Sequence, residues 1–287
     1  MNATPFNFPQ DFIKTLEDDL GQKIEIQRVK NWDELQAKMV TKTGAHLVLA
    51  PSFWARDMDR ESLIMRLNPI QTKVEKRISP DFISLQGKNL NALPLYWAVT
   101  DFRVHKDSTL GDSLDQALQN KALTEIHLYP DQDLMVTHLK VWAKSPAGSL
   151  KLKDVSTFQF NKIPTDISKT AIWEYPHLVK DPNTRSLTTG NSRAFMVYSM
   201  MIPRNSSNKK LSYRLIEKMM DPQIEEAILT KLPMGSTLQV TDSFQIAKEK
   251  RSTELRDLKL HELIILEKRL PDLFQEYWQK YNFILPN

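Results

Sequence analysis

The order of elements predicted from the sequence is that of an α/β fold. Residues 9–20 place apolar side chains at helical spacing, and residues 23–29 alternate between apolar and polar side chains like a strand. A helix over residues 31–40 and a continuous apolar strand over residues 45–52 follow. Because helix and strand alternate, the sequence predicts a parallel central sheet.

The ends of the first two helices carry capping signals. Pro9 suits the first turn of a helix, and Gly21 suits the position just after a helix ends. Asn31 and Glu34 have the spacing of a capping box. Further along, apolar spacing predicts another helix over residues 59–67.

The stretch LPLYWAVTDFRV, residues 93–104, predicts a strand over residues 95–104. It is rich in β-branched and aromatic residues, and Pro94 can stand near the start of a strand. Tyr96 and Trp97 are adjacent, so they must point to opposite faces of the sheet.

The second half of the chain repeats this alternation of strand and helix. Pro222 ends one predicted helix and begins the next, because proline cannot continue a helix. The other predicted elements are strands at 125–128, 170–175 and 193–203, a helix at 131–143 and a last helix at 270–281.

Two α/β units without a flexible linker predict two lobes joined by strands that cross between them. The predicted first lobe comprises residues 1–104 and 194–240, and a reduced second lobe comprises residues 105–193 and 241–287. A cleft between lobes is a usual place for a ligand.

Composition excludes several kinds of site. The chain has 39 Lys and Arg and 35 Asp and Glu, with both signs interspersed, which argues against nucleic-acid binding. There is no cysteine, so disulfides, thiolate nucleophiles and cysteine metal sites are excluded. No apolar run approaches the ~20 residues of a membrane span. The first residues do not resemble a signal peptide, which fits a cytoplasmic protein or an exported protein whose signal has been removed.

Signatures of catalysis are missing from the sequence. It has no glycine-rich phosphate loop, no GxSxG and no HExxH, and its six histidines are far apart. The carboxylate pairs Asp18–Asp19 and Glu225–Glu226 are interpreted as solvated charges on exposed helix faces. We therefore expect a protein without catalytic residues, metal or cofactor.

Aromatic residues mark the ends of four predicted strands. Ligands of α/β proteins bind beyond the carboxyl ends of strands, so these aromatics are candidates for a shared site. The alternative is that each of them is part of the core. They are Phe53, Trp54, Tyr96, Trp97, Trp173, Tyr175, Phe195 and Tyr198.

Several segments resemble, in order, extracellular solute-binding proteins of the spermidine/putrescine-binding type. The segments are HLVLAPSFWARDM, ISPDFISLQ, ALPLYWAVTDFRV, TAIWEYPHLV, YSMMIPRNSSNKKLSYRLIEKMMDPQIEEAI and LPDLFQEYWQKY. The resemblance implies a two-lobed periplasmic-binding-protein fold of the second type. It also implies a protein in the periplasm that closes by a hinge on a small molecule and delivers it to the permease of an ABC transporter. Nothing in the sequence resembles an obligate interface pattern, so we expect a monomer.

The resemblance also suggests roles for residues. Trp97 and Trp173 would be stacking walls for a cation or an alkyl chain. The polar contacts would come from Ser52, Thr100, Tyr198 and Glu174, and Phe53 and Trp54 complete the predicted site. On this basis a Trp97→Ala change is expected to abolish ligand binding and to leave the protein folded.

The sequence departs from this family at two points that bear on the ligand. Tyr198 stands where polyamine binders carry an acidic residue, and the second lobe is short. Whether the ligand contains an amine is therefore an open question at this point. An alternative is a relative that has lost transport and acts as a sensory or interaction partner.

Overall fold

The computed structural model describes two compact units. One comprises Met1–Ala98 and Met196–Lys259, and the other comprises Val99–Phe195 and Leu260–Asn287. Where the chain first leaves the first unit, that unit ends at residue 98, whereas the predicted lobe ends at residue 104. The bounds predicted for the two lobes stay a prediction. The described residues are 1–4, 7–41, 44–68, 73–84, 91–113, 116, 125–128, 157–160, 170–174, 183–187, 192–232, 234–239 and 262–264.

The first unit contains the helices described below and four strands or parts of strands. Its helices are α1 (Gln10–Leu20), α2 (Trp32–Val40), α3 (Trp54–Arg60), a 3₁₀ helix (Glu75–Arg77), α4 (Pro80–Ser84), α5 (Lys209–Met219) and α6 (Pro222–Leu229). Its strands are β1 (Val48–Pro51), the first part of β2 (Leu93–His105), the last part of β7 (Ser192–Met201) and β8 (Gly235–Ser236). Strands β2 and β7 carry the chain from one unit to the other.

The second unit is described mainly through its strands. Strand β3 pairs in parallel with β4 and β5, and β9 pairs in parallel with the first part of β7. The last part of β2 pairs antiparallel with β5 and β6. The bounds are β3 (Glu125–Leu128), β4 (Thr157–Phe160), β5 (Thr170–Glu174), β6 (Thr184–Leu187) and β9 (Glu262–Ile264).

The prediction of a parallel sheet is right for part of the second unit. In the first unit the parallel pairing described is limited to the bridges of Asn2 with Arg28 and with Leu49, and the prediction is wrong for the paired strands β1, β2, β7 and β8. In the first unit β1 runs antiparallel to β7, and β8 runs antiparallel to β2. The physical reason is the path of the chain. Strand β7 returns from the other unit, so it meets β1 in the opposite direction.

Helix α1 forms where its apolar spacing predicted it. Its N-cap is Pro9, and it ends at Gly21, whose φ of 65° is the left-handed conformation that glycine adopts without strain. The Gly21 N–H donates to the Glu17 carbonyl oxygen at 2.8 Å. The four predicted apolar side chains are buried and face α5 and α6, and they are Phe12, Ile13, Leu16 and Leu20.

Side-chain caps begin two other helices. The Asn31 side chain accepts a hydrogen bond from the Glu34 N–H at 2.9 Å, as predicted, while the Glu34 carboxylate accepts from the N–H of Lys30 at 2.8 Å. The predicted break at Pro222 is confirmed, because Asp221 caps α6 by accepting from the Gln223 N–H at 3.0 Å.

Two predicted elements are wrong. Residues 23–29 form no strand and have a single bridge, between Arg28 and Asn2. The helix predicted over residues 59–67 lies earlier, as α3, because residue 64 bridges Pro203 in an extended segment. There the Met65 N–H donates to the Ile202 carbonyl oxygen at 3.0 Å. The helices predicted at 131–143 and 270–281 lie outside the described residues.

The pairing of β2 with β8 explains how two adjacent aromatics can both be buried. Tyr96 lies opposite Ser236 and Trp97 lies opposite Gly235, and both aromatic side chains are fully buried. Both faces of this part of β2 are therefore covered by the first unit. Among the described helices none is long and apolar enough to span a membrane.

We expect a Gly235→Ala variant to be destabilised by about 1–3 kcal/mol, the usual cost of overpacking a core. A Cβ at residue 235 would lie 2.1 Å from two ring carbons of Trp97, which is far closer than carbon atoms pack. Chemical unfolding measures the change.

The control is the same substitution in a Trp97→Leu background, where the ring is gone. The added methyl group should cost less there than in the parent protein. Equal costs in the two backgrounds would show that the Trp97 ring is not what the methyl group meets.

Candidate ligand-binding site

Ser52 lies at the carboxyl end of β1 and is half-buried. Its hydroxyl oxygen is 2.6 Å from the hydroxyl oxygen of Ser199, and its N–H donates to the Val197 carbonyl oxygen at 2.8 Å. Ser199 is fully buried in β7, opposite Ala50. The serine pair therefore joins β1 to β7 at the strand end where the sequence predicted a ligand.

Ser199 is a polar residue that the sequence-based prediction missed. The signal was present, because this serine interrupts the apolar strand segment AFMVYSMMI. A buried hydroxyl needs a hydrogen-bond partner, and Ser52 provides one. Since a hydroxyl can donate or accept, Ser52 can orient its hydroxyl toward either kind of polar group on a ligand.

Phe53 and Trp54 follow Ser52 at the start of α3 and are both buried. Their rings meet edge to face with centroids 6.5 Å apart, and Trp54 meets Trp32 of α2 in the same way at 5.7 Å. This geometry is a favourable one for aromatic pairs. Both residues therefore have a packing role in the first unit.

Trp97 and Tyr198 are fully buried in the two crossing strands. The Trp97 indole N–H donates to the Ser236 carbonyl oxygen at 2.6 Å, and its ring lies against Gly235. Tyr198 pairs with Pro51 at the end of β1, next to the serine pair. Trp97 is thus fixed in place by its contacts with β8. Tyr198 lies in β7 opposite Pro51, the residue that precedes Ser52.

Thr100, Trp173 and Glu174 belong to the second unit, where the structure gives their backbone positions. Strands β2 and β5 pair so that Asp101 lies opposite Glu174 and Phe102 lies opposite Trp173. Thr100 directly precedes Asp101 in β2. The register therefore brings these three predicted site residues together on neighbouring strands of the second unit.

The polar side chains whose contacts are described at the end of β1 are the hydroxyls of Ser52 and Ser199. Across the described residues no group of three His, Asp or Glu side chains is arranged to hold a metal ion. The chemistry that Ser52 and Ser199 offer is hydrogen bonding, which suits the binding of a polar small molecule.

Comparison with solved structures identifies the fold. The chain is similar to the TpPotD lipoprotein of Treponema pallidum, with 12% identity, a TM-score of 0.76 and 98% of each chain covered. It is also similar to the spermidine/putrescine ABC transporter substrate-binding protein PotD from Streptococcus pneumoniae, with 13% identity, a TM-score of 0.73 and coverage of 98% and 97%. The fold is that of the periplasmic binding proteins.

A protein with a similar fold is bound to a ligand of another chemical class, a sugar. An ABC transporter solute-binding protein from Thermotoga lettingae, bound to α-D-tagatose, is 13% identical with a TM-score of 0.67, and the match covers 95% of this chain and 89% of that one. Neither the protein-family models nor the curated protein sequences give a match. The fold that the resemblance implied is therefore confirmed, and the ligand has to be argued from the residues.

Full burial of Trp97 argues against the expectation that a Trp97→Ala variant stays folded. Removing a buried tryptophan side chain costs about 3–5 kcal/mol, and this one also satisfies the Ser236 carbonyl oxygen. We expect urea unfolding of Trp97→Ala to occur at much lower denaturant concentration than in the parent protein.

Trp97→Phe is the matched control, since it keeps a ring and loses the N–H donor. It should lie between the parent protein and Trp97→Ala. An unfolding midpoint of Trp97→Ala equal to that of the parent protein would contradict a core role for this side chain.

Proposed function

We propose that the chain is a solute-binding protein that captures a small molecule and delivers it to the permease of an ABC transporter. The observation that carries the proposal is the match of the periplasmic-binding-protein fold over 98% of this chain and of the T. pallidum lipoprotein. A match of this extent includes both units, and the similar proteins from S. pneumoniae and T. lettingae are ABC transporter substrate-binding or solute-binding proteins.

The proposed ligand contacts come from both units. Ser52 is the predicted site residue of the first unit that is described as half-buried, so its hydroxyl is the proposed polar contact there. Thr100, Trp173 and Glu174 are the proposed contacts of the second unit, because the register of β2 and β5 groups them. Phe53, Trp54, Trp97 and Tyr198 are proposed to form the aromatic surroundings of the site.

A cationic or amine-containing ligand is the proposed class. Glu174 supplies a carboxyl group that can pair with an ammonium group, and Trp173 supplies an aromatic face for a cation. The PotD protein from S. pneumoniae is named as a spermidine/putrescine protein, which supports testing polyamines first. We propose that the protein works in the periplasm, where binding proteins deliver ligands to ABC transporters. We also propose that it is a monomer.

Thermal unfolding against a panel of polyamines, amino acids, small carboxylates and sugars tests the proposal. A ligand at 100 times its Kd adds about 2.7 kcal/mol to the free energy of unfolding. Each kcal/mol raises the Tm of a domain of 150–250 residues by about 2–4 °C. We therefore expect an amine to raise the Tm by several degrees.

The matched controls are uncharged analogues of each amine at the same concentration and ionic strength. A shift with a sugar or a carboxylate alone would keep the binding function and overturn the amine class. A panel without any shift, from protein shown by mass spectrometry to carry no bound compound, would contradict capture and favour a sensory or interaction role.

A Ser52→Ala variant should bind the identified ligand about tenfold more weakly, because one hydrogen bond contributes about 0.5–1.5 kcal/mol. Isothermal titration calorimetry measures the affinity. Ser207→Ala removes an exposed serine hydroxyl of the same unit and should leave the affinity unchanged. Equal affinities of Ser52→Ala and Ser207→Ala would remove Ser52 from the site.

A further inference from the structure

Glu225 is a fully buried carboxyl group in the first unit, on the face of α6 that meets β8. The sequence-based interpretation of Glu225 as a solvated charge is therefore wrong. One carboxyl oxygen, Oε2, accepts a hydrogen bond from the Ser236 hydroxyl at 2.8 Å. The other oxygen, Oε1, is buried and has no hydrogen-bond partner among the described residues.

Tyr96 presents a second open oxygen in the same place. Its hydroxyl is buried and has no hydrogen-bond partner among the described residues, and Tyr96 lies opposite Ser236 in the β2–β8 pair. Burial raises the pKa of Tyr96 well above its usual value, and the nearby Glu225 raises it further. Tyr96 and Ser236 are cross-strand partners and so project on the same face, and the Ser236 hydroxyl bonds Glu225, so both open oxygens belong to one buried face of the β2–β8 pair.

No cation in the described part of the chain balances a charge on Glu225. Two lysines near α6 have carboxylate partners of their own: Lys231 pairs with Asp11 of α1, and Lys218 of α5 pairs with Asp19. The other cations of α1 and α5 are exposed, and they are Lys14, Lys209, Lys210 and Arg214. The Arg77 guanidinium donates to the carbonyl oxygen of Met220 at 3.3 Å. Tyr96 is the titratable group in the part of β2 that belongs to the first unit, and β8 contributes only the Ser236 hydroxyl.

A buried carboxylate without a cation is strongly disfavoured, and such a group keeps its proton instead. Burial raises the pKa of Glu225 well above its usual value, and the hydrogen bond from Ser236 opposes this only in part. Buried polar atoms without a protein partner are commonly satisfied by internal water.

We propose that Glu225 is a neutral carboxylic acid in the folded protein, and that one internal water molecule joins its Oε1 atom to the Tyr96 hydroxyl. The Leu238 N–H donates to the Ser236 hydroxyl oxygen at 2.9 Å, and that hydroxyl donates to Oε2. The acid proton then sits on Oε1 and is donated to the water, which also bonds to the Tyr96 hydroxyl. This chain of hydrogen bonds ties α6 to β8 and β2 and does not depend on the proposed function.

The neutral acid makes the stability of the protein fall as pH rises. Above the ordinary pKa of Glu the unfolded chain loses this proton and the folded chain keeps it, so folding takes up a proton. In that window one such group lowers the equilibrium constant for folding about tenfold per pH unit, until the pH reaches the raised pKa. Asp11 and Glu17, whose pKa values are lowered by their Lys231 and Ile24 partners, act below their ordinary values, outside this window. The Met1 amino group, whose pKa burial lowers from 8.0 to about 6, acts inside the window above pH 6 and in the opposite direction. The contribution of Glu225 is therefore the difference between the parent protein and a Glu225 variant that keeps the same amino group.

Urea unfolding from pH 5 to pH 8 tests the neutral acid in the parent protein, Glu225→Gln and Glu217→Gln. The amide of Glu225→Gln can donate in place of the acid proton and does not titrate, so the stability of this variant relative to the parent protein should increase steadily as the pH rises from 5 to 8. Glu217 is exposed on α5, and its variant should keep the parental profile. Parallel profiles for the parent protein and Glu225→Gln overturn the proposal.

The water bridge is tested by the Tyr96→Phe change in two backgrounds. In the parent protein the loss of this hydroxyl should lower the equilibrium constant for folding about tenfold, the cost of a lost hydrogen bond. In a Glu225→Leu background the same change should have little effect, because the bridge is already gone. Equal effects in both backgrounds overturn the bridge.

Discussion

The contact between Trp97 and Gly235 is the constraint on which the first unit depends. The Trp97 ring occupies the space where any side chain at residue 235 would begin, and its indole N–H satisfies the Ser236 carbonyl oxygen. A short strand of two residues, β8, is thereby fixed against β2 more firmly than its own backbone pairing would hold it. Because the chain passes to the second unit directly after Ala98, the position of this pair fixes where β2 leaves the first unit.

The same strand pair presents two kinds of side chain on its two faces. Trp97 covers Gly235 on one side, while Tyr96 and Ser236 meet the Glu225 carboxyl group on the other. The apolar side is stabilised by close packing, which tolerates no added atom. The polar side is stable only when every oxygen finds a partner, so the burial of Glu225 makes this side sensitive to protonation.

Local sequence patterns predicted most helix ends well and strand direction poorly. Gly21, Asn31 and Pro222 act through their nearest neighbours, so their effect is visible in a short window of sequence. The direction in which β7 meets β1 depends on a chain that leaves the unit and returns, which no local pattern records. Glu225 was wrongly predicted to be exposed because the adjacent Glu226 suggested a solvated pair of charges. Glu225 precedes Ile228 and Leu229 by three and four residues, and this spacing places it on the buried face of α6.

In the candidate site, too, some features could be predicted from local sequence patterns and others depend on strand pairing. The strand ends that carry Ser52, Tyr198 and Trp173 followed from aromatic and apolar patterns, while the partner of Ser52 required the register of β1 and β7. At 12–13% identity the compared proteins share the arrangement of strands, and one of them holds a sugar. A backbone that accepts such different ligands leaves specificity to the few polar side chains at its strand ends. We therefore propose that the chemistry of Ser52 and of Glu174 decides what this protein binds.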